Sequence, residues 1–186
     1  MGPLSRLGQQ PPTFGWPKPP PRGPWYGSSL TFTGPLEAET RRRLHERLHV
    51  QMGLGSLRYT VRGLRHSGDP HQHEITVVFE ADPWLPTFSL PPEEFPRVYA
   101  DPGQPGPHRH VDDALCLWDP SDPRHMRWTP DKGLHDLLGL AVQHLFAEYW
   151  WREHNEWLLT EAPHDPGAST VRKRPTPTGL RQRRAA

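Results

Sequence analysis

Cysteine is all but absent from this chain of 186 residues, and Cys116 is its single thiol. One thiol excludes an internal disulfide framework and any multi-cysteine zinc site, and it leaves open a lone nucleophile. Long apolar runs are missing as well. No stretch approaches the roughly 18–20 residues that a membrane-spanning helix needs. The opening Met1-Gly2-Pro3-Leu4-Ser5-Arg6 has no apolar core of a secretory signal, and Arg6 stands where a myristoylation signal carries Ser or Thr. These absences predict a cytoplasmic protein with no membrane partner. Charge of either sign is in balance, with a formal net of +1, so no global field draws the chain to nucleic acid. Hydrophobic residues are sparse at 33%, too few for a wholly packed chain. Length leaves room for one ordinary domain plus tails.

Proline is plentiful, with 25 residues against an ordinary share of about 5%, and its placement locates the tails. Residues 1–34 hold Pro11, Pro12, Pro17, Pro19 to Pro21 and Pro24 among Gly and Gln. Such a segment favours extended polyproline II and builds no core. Trp16, Trp25 and Tyr26 within it are expected to lie on the domain surface or to dock a partner. After Pro163, Arg172, Lys173, Arg174, Arg181, Arg183 and Arg184 carry positive charge, with no acid from Val171 onward. Residues 163–186 therefore read as a basic disordered tail, either solvated or binding weakly to an acidic partner. A folded domain is left over 35–162.

Within that domain the pattern predicts a helix over Leu36–Met52. Pro35 is placed at its start, Glu37 and Glu39 in its first turn, and Leu44, Leu48 and Met52 along one stripe. Arg41, Arg42, Arg43 and Arg47 form its solvated face, and Gly53 and Gly55 end it. Leu57–Arg62 alternates as a half-buried strand does, His66–Pro70 reads as a turn, and Ile75–Phe79 is β-branched and aromatic. Thr87–Leu90 and Phe95–Tyr99 are further extended candidates in one antiparallel meander, with prolines blocking its edges. From Tyr99 to Lys132 the chain is rich in Pro, Gly, Asp and His, and a loop of that length is usually functional or disordered. Leu115, Leu117 and Trp118 around Cys116 favour a structured loop. Leu134, Leu137, Leu138, Ala141, Leu145 and Tyr149 then mark a long helix over Leu134–Leu159. The class is α+β.

Cys116 is the sharpest chemical feature. His110 precedes it by six residues, Asp112 and Asp113 lie between them to orient an imidazole, and His108, Arg109 and His125 ring the loop in a setting that favours thiolate. A thiolate attacks carbonyl carbon, and the resulting thioester stays reactive toward amines. A cysteine hydrolase would use the same nucleophile. Histidines at 66, 71 and 73, and at 108 and 110, raise a metal site. No carboxylate or cysteine falls at a spacing that completes one, so neither metal nor cofactor is expected.

The order of these pieces resembles the ubiquitin-conjugating (E2-like) family. Phe95-Pro96-Arg97-Val98-Tyr99 is similar to the proline-bounded strand before the family's active site. His110-Val111-Asp112-Asp113-Ala114-Leu115-Cys116-Leu117 resembles its His…Asp-Gly-x-Ile-Cys-Leu stretch, and Trp128-Thr129-Pro130 with Leu134, Leu137 and Leu138 resembles the Trp-x-Pro and leucine-rich helix that follow. Trp118, Trp150, Trp151 and Trp157 are matched best by the stand-alone bacterial E2-like proteins of antiphage CBASS operons. The resemblance covers roughly residues 36–162. It implies a UBC-like fold with an N-terminal helix, an antiparallel meander, an active-site loop and a long C-terminal helix. It also implies a transferase that holds the C-terminus of a partner protein as a thioester on Cys116 and passes it to an amine. His110 would shape the loop or polarise the carbonyl. His108 and Asp113 would support the site, and Leu117, Trp118 and Trp128 would hold the loop on the domain. The implied partners are a nucleotide-cyclising synthase, an E1-like activating enzyme, or both. Two departures stand out. The family's asparagine near the site is missing, because the one asparagine is Asn155, in the predicted long helix; the glycine before the cysteine is replaced by Asp113-Ala114. A non-catalytic binding module of the same fold and a Cys116/His110 hydrolase are the alternatives.

Overall fold

The computed structural model describes residues 24–159. It has two α-helices and one four-stranded antiparallel sheet in the order β1-β2-β3-β4. The elements are α1 (Leu30–Leu44), β1 (Leu48–Gly53), β2 (Ser56–Leu64), β3 (His73–Glu80), β4 (Arg97–Ala100) and α2 (Gly133–His154). Trp16 and the basic 163–186 segment lie outside the described residues.

The sheet shows the alternation that a half-buried antiparallel sheet requires. Leu57, Tyr59 and Val61 of β2, Ile75, Val77 and Phe79 of β3, and Val98 and Ala100 of β4 all point into one core. Leu36 of α1 and Leu134, Leu137, Leu138, Ala141 and Leu145 of α2 close that core from the helical side. On the other face Thr60 meets Thr76 at 3.2 Å and Arg62 meets Glu74 at 2.5 Å across the β2–β3 ladder. Among the described residues no helix is long and apolar enough to cross a membrane.

Four expectations are corrected. The predicted helix over Leu36–Met52 is three elements. α1 starts earlier, at Leu30, and Pro35 lies inside it, where it has no N–H to offer Thr31. A 3-10 turn at His45–Arg47 follows, and then β1 pairs with β2 from Leu48↔Val61 to Gly53↔Ser56. The four-residue spacing of Leu44, Leu48 and Met52 imitates a helical stripe, yet Met52 is 56% exposed on an edge strand. Gly53 ends β1, and Gly55 lies in the β1–β2 turn at φ +77°, a conformation that costs glycine little. The start of the domain at residue 35 is also too late. Trp25 and Tyr26 pack against the core, and Tyr26 donates its hydroxyl to the Glu80 carbonyl at 2.9 Å. Finally, Thr87–Leu90 is a turn with Phe88 and Ser89 at positive φ, because the prolines around it leave no partner strand. α2 stops at His154, and Asn155 is its left-handed cap, donating to the Trp151 carbonyl at 2.7 Å.

α1 is tied to the sheet by a buried polar contact. Tyr59 of β2 donates its hydroxyl to the Glu37 carboxylate at 2.6 Å, and Glu37 also pairs with Arg41 one turn on. The Glu37 side chain is largely buried, so removing one donor leaves its charge less compensated. Tyr59→Phe is expected to destabilise the protein by about 1–3 kcal/mol, read as a lower urea midpoint at unchanged denaturant slope. A midpoint equal to the wild type would show that Glu37 is held by Arg41 alone.

Candidate functional site

After β4 the chain turns at Asp101, which has φ +46°, and residues 108–116 fold back as a narrow hairpin. Cys116 N–H donates to the His108 carbonyl at 2.8 Å, and His110 N–H to the Ala114 carbonyl at 2.8 Å. Leu115 N–H donates to the Val98 carbonyl at 2.7 Å. The returning arm therefore lies against β4, and Ala114 and Leu115 are buried in front of the cysteine. Asp113 makes the turn at φ +68° and His108 sits at φ +58°. Aspartate tolerates this left-handed conformation better than most residues do, which accounts for Asp113 where the resembled motif carries glycine.

One buried ion pair seals the hairpin to α2. Arg109 donates from Nε and from a terminal nitrogen to the two oxygens of Glu148, both at 2.7 Å, and also to the Ala100 carbonyl at 3.0 Å. Asp113 adds a contact to Arg109 at 3.2 Å, and His144 Nε2 lies 3.4 Å from Glu148. The Glu148 side chain is fully buried. Burial alone would raise its pKa, but the hydrogen bonds from Arg109, with His144 close by, outweigh it and hold the carboxyl below its usual range. Gly106 is required beside this pair, since a Cβ there would collide with the Glu148 carboxylate.

The thiol of Cys116 is partly exposed, and its sulfur lies 4.0 Å from the Trp118 carbonyl. Burial pushes its pKa up, Asp119 adds to the rise, and Arg97 partly offsets them. The expected thiolate-favouring setting is thus corrected: Arg109 is committed to Glu148 and Asp113. The two aspartates of the hairpin have partners away from the thiol. Asp112 accepts from the Tyr99 hydroxyl at 2.9 Å and faces Arg97 at 3.7 Å, while Asp113 accepts from the Gly103 N–H at 2.9 Å as well as from Arg109. Burial and the Asp112 bond push Tyr99 up to about 12.

Aromatic packing fixes the rest. Trp118 meets Trp128 at 6.1 Å and Phe95 edge-on at 6.0 Å, and His110 meets the same Phe95 at 6.0 Å. Trp128 is buried, donates Nε1–H to the Gly133 carbonyl at 2.9 Å and reaches Phe79 in the core. Leu117 packs against the same core. His108 stacks on Trp157 at 4.7 Å, beyond the end of α2. The structure thus sets Trp118 and His110 against Phe95, with Trp128 beside Trp118 and Leu117 on the core, and His108 and Asp113 take positive φ in the hairpin.

Sequence reasoning missed Arg109 and Glu148 as a pair. The available signal was His144 and Glu148 falling on the apolar stripe of α2, where an unpaired acid would not be tolerated. It also missed Asp69. The His66, His71 and His73 group was judged to lack a carboxylate, and Asp69 stands among all three. No family model, curated protein or solved structure matches this chain.

Two outcomes follow from this geometry. Glu148→Gln is expected to destabilise the protein by about 3–5 kcal/mol, because it strands a buried guanidinium. Since the folded Glu148 carboxyl titrates below the ordinary value of about 4.3, the wild type keeps this contribution above that pH. It loses it as the pH falls through the lower folded value, a sensitivity that Glu148→Gln should not share in urea melts across acidic pH. At the thiol, Asp119→Asn should lower the Cys116 pKa and speed alkylation by iodoacetamide at neutral pH, whereas Arg97→Ala should slow it. Equal rates in all three proteins would remove electrostatics as the control.

Proposed function

We propose that this chain is an E2-like conjugating enzyme of UBC-type fold, cytoplasmic, in which Cys116 carries the C-terminus of a partner protein as a thioester and passes it to an amine. The observation that carries this reading is a partly exposed lone thiol held between β4 and α2 on a rigid hairpin, with Trp118 and Trp128 behind it. The succession of helix, meander, cysteine hairpin and long helix supports it, as do the His110…Cys116-Leu117-Trp118 residues. Fold-level likeness alone would not, because one architecture hosts many functions.

In the loading step the Cys116 sulfur attacks the carbonyl carbon of a donor thioester, the donor's thiolate leaves, and the Cys116 proton goes to it through solvent. In the second step an amine attacks the Cys116 thioester, expels the Cys116 thiolate and yields an amide. A raised thiol pKa slows loading at neutral pH. It also makes Cys116 a poorer leaving group, so the carried thioester resists idle loss to water. His110 polarises the carbonyl or shapes the loop, and with no asparagine nearby the remaining oxyanion donors are backbone N–H groups. The donor by resemblance is an E1-like activating enzyme, and the carried chain is the C-terminus of a nucleotide-cyclising synthase of a CBASS system.

A second reading, a binding module that has lost its chemistry, draws on the same raised thiol, since nothing beside Cys116 acidifies it strongly. Incubation with the activating enzyme, ATP and the synthase separates the two. The conjugation reading expects a thiol-sensitive adduct on wild type, a thiol-resistant ester on Cys116→Ser and no adduct on Cys116→Ala. Loading should climb about tenfold per pH unit until the raised thiol pKa is reached. Partner binding that is unchanged in Cys116→Ala, with no adduct on any variant, would falsify the enzyme and favour the module.

A further inference from the structure

The β2–β3 hairpin carries a second polar cluster that the thioester reading does not use. His66 and Asp69 lie in its loop and His73 opens β3, and their side chains are only 3%, 6% and 3% exposed. His66 Nε2 lies 3.5 Å and His73 Nε2 3.7 Å from the same oxygen, Asp69 Oδ2. Both separations are too long for hydrogen bonds, and both nitrogens are buried with no hydrogen-bond partner. Two imidazole nitrogens and a carboxylate oxygen thus stand close together with no hydrogen bond among them. Among the described residues this is the group whose ligand atoms converge, all within 4.8 Å of one another.

The other atoms of these side chains are already engaged, and in the sense that a metal site requires. His73 Nδ1 meets the Asp101 carboxylate at 2.8 Å, and His66 Nδ1 meets the Ser67 carbonyl at 3.1 Å. Each acceptor holds a proton on Nδ1, which leaves the Nε2 lone pair available. Asp69 Oδ1 accepts from the backbone and Nδ1 of His71, both at 2.7 Å, so Oδ2 alone faces the histidines. Phe146 and Tyr149 of α2 pack against His66, with ring centroids at 5.6 and 5.5 Å, and wall off one side. In a tetrahedral zinc site with metal–ligand bonds of about 2.0–2.1 Å, ligand atoms lie roughly 3.3–3.4 Å apart. The observed 3.5 and 3.7 Å need a few tenths of an ångström of adjustment, and the His66 and His73 rings, 17° from parallel, need one ring to turn so that both lone pairs meet the ion.

We propose that His66, Asp69 and His73 bind one divalent transition-metal ion, zinc by ligand chemistry, with Asp101 orienting His73 and a solvent molecule in the fourth position. Two imidazoles and one carboxylate suit zinc, and cobalt in its place, better than calcium or magnesium, which take oxygen ligands. The ion clips the hairpin loop to the start of β3 at its contact with α2. It is a structural site, independent of whether Cys116 forms a thioester.

The test uses the full chain made without a histidine tag, stripped with a chelator and titrated with Co²⁺. One equivalent should produce the intense visible absorption of four-coordinate cobalt, and Zn²⁺ should abolish it. His49→Ala, which removes an exposed histidine of β1 outside the cluster, should bind as the wild type does. Asp101→Asn should weaken binding about 10–100-fold, and His66→Ala and Asp69→Ala should abolish the band while retaining the wild-type circular dichroism. Zinc should raise the melting temperature of the wild type and of His49→Ala but not of His66→Ala. Absence of the cobalt band in folded wild type, or a band of equal affinity in His66→Ala, overturns the site. Should His66→Ala not fold, the wild-type titration and the weakening in Asp101→Asn decide it alone.

Discussion

Arg109 and Glu148 form the interaction on which the cysteine hairpin depends. The hairpin has few apolar side chains of its own to bury, and its first six residues, 108–113, are His, Arg, His, Val, Asp and Asp. What fixes it is a guanidinium satisfied on several sides, by both Glu148 oxygens, by the Ala100 carbonyl and by Asp113. A buried pair of this kind adds less net stability than its geometry suggests, because both charges first lose their water. Its value is positional. Moving residues 108–116 away from α2 would strand both charges, so the pair holds the hairpin at the end of β4.

That rigidity bears on the thiol. The ordinary way to activate a cysteine is to surround it with positive charge, and the one buried arginine of this hairpin is spent on Glu148. Asp119 acts in the opposite direction and Arg97 compensates only in part. The site is therefore built for placement more than for acidification, with Trp118 and Trp128 holding the backbone on both sides of the bend. Under the proposed reading, such a thiol would accept an already activated acyl group more readily than it would attack an unactivated amide.

Much of the fold was legible in the sequence. β2, β3 and α2 announced themselves because burial on one face imposes a period of two or of about 3.6, and Leu57–Val61, Ile75–Phe79 and Leu134–Leu145 keep those periods. α1 and β1 were blurred because an edge strand with one buried residue has almost no pattern. Leu48 supplies all the burial of β1, at the spacing a helix would also give. The site was legible only as far as its sequence-local part, Cys116 with its Leu and Trp neighbours. Arg109 finds Glu148 across 39 positions, and His73 finds Asp101 across 28, so no spacing rule could have joined them.

These two long-range contacts meet at a single peptide. The Ala100 carbonyl accepts from Arg109, and the carboxylate of the next residue, Asp101, accepts from His73. β4 ends there because Asp101 leaves extended geometry for φ +46°. On the far side both clusters rest on the same stretch of α2. His144 and Glu148 face the arginine, and Phe146 and Tyr149, on the adjoining face, cover His66. The end of β4 is thus gripped from the cysteine hairpin on one side and from the histidine cluster on the other. An ion that tightened His73 would hold Asp101, and with it the strand end against which Arg109 positions the hairpin of Cys116. The histidine site needs no contact with the thiol to matter to it, because both are referenced to the same backbone turn.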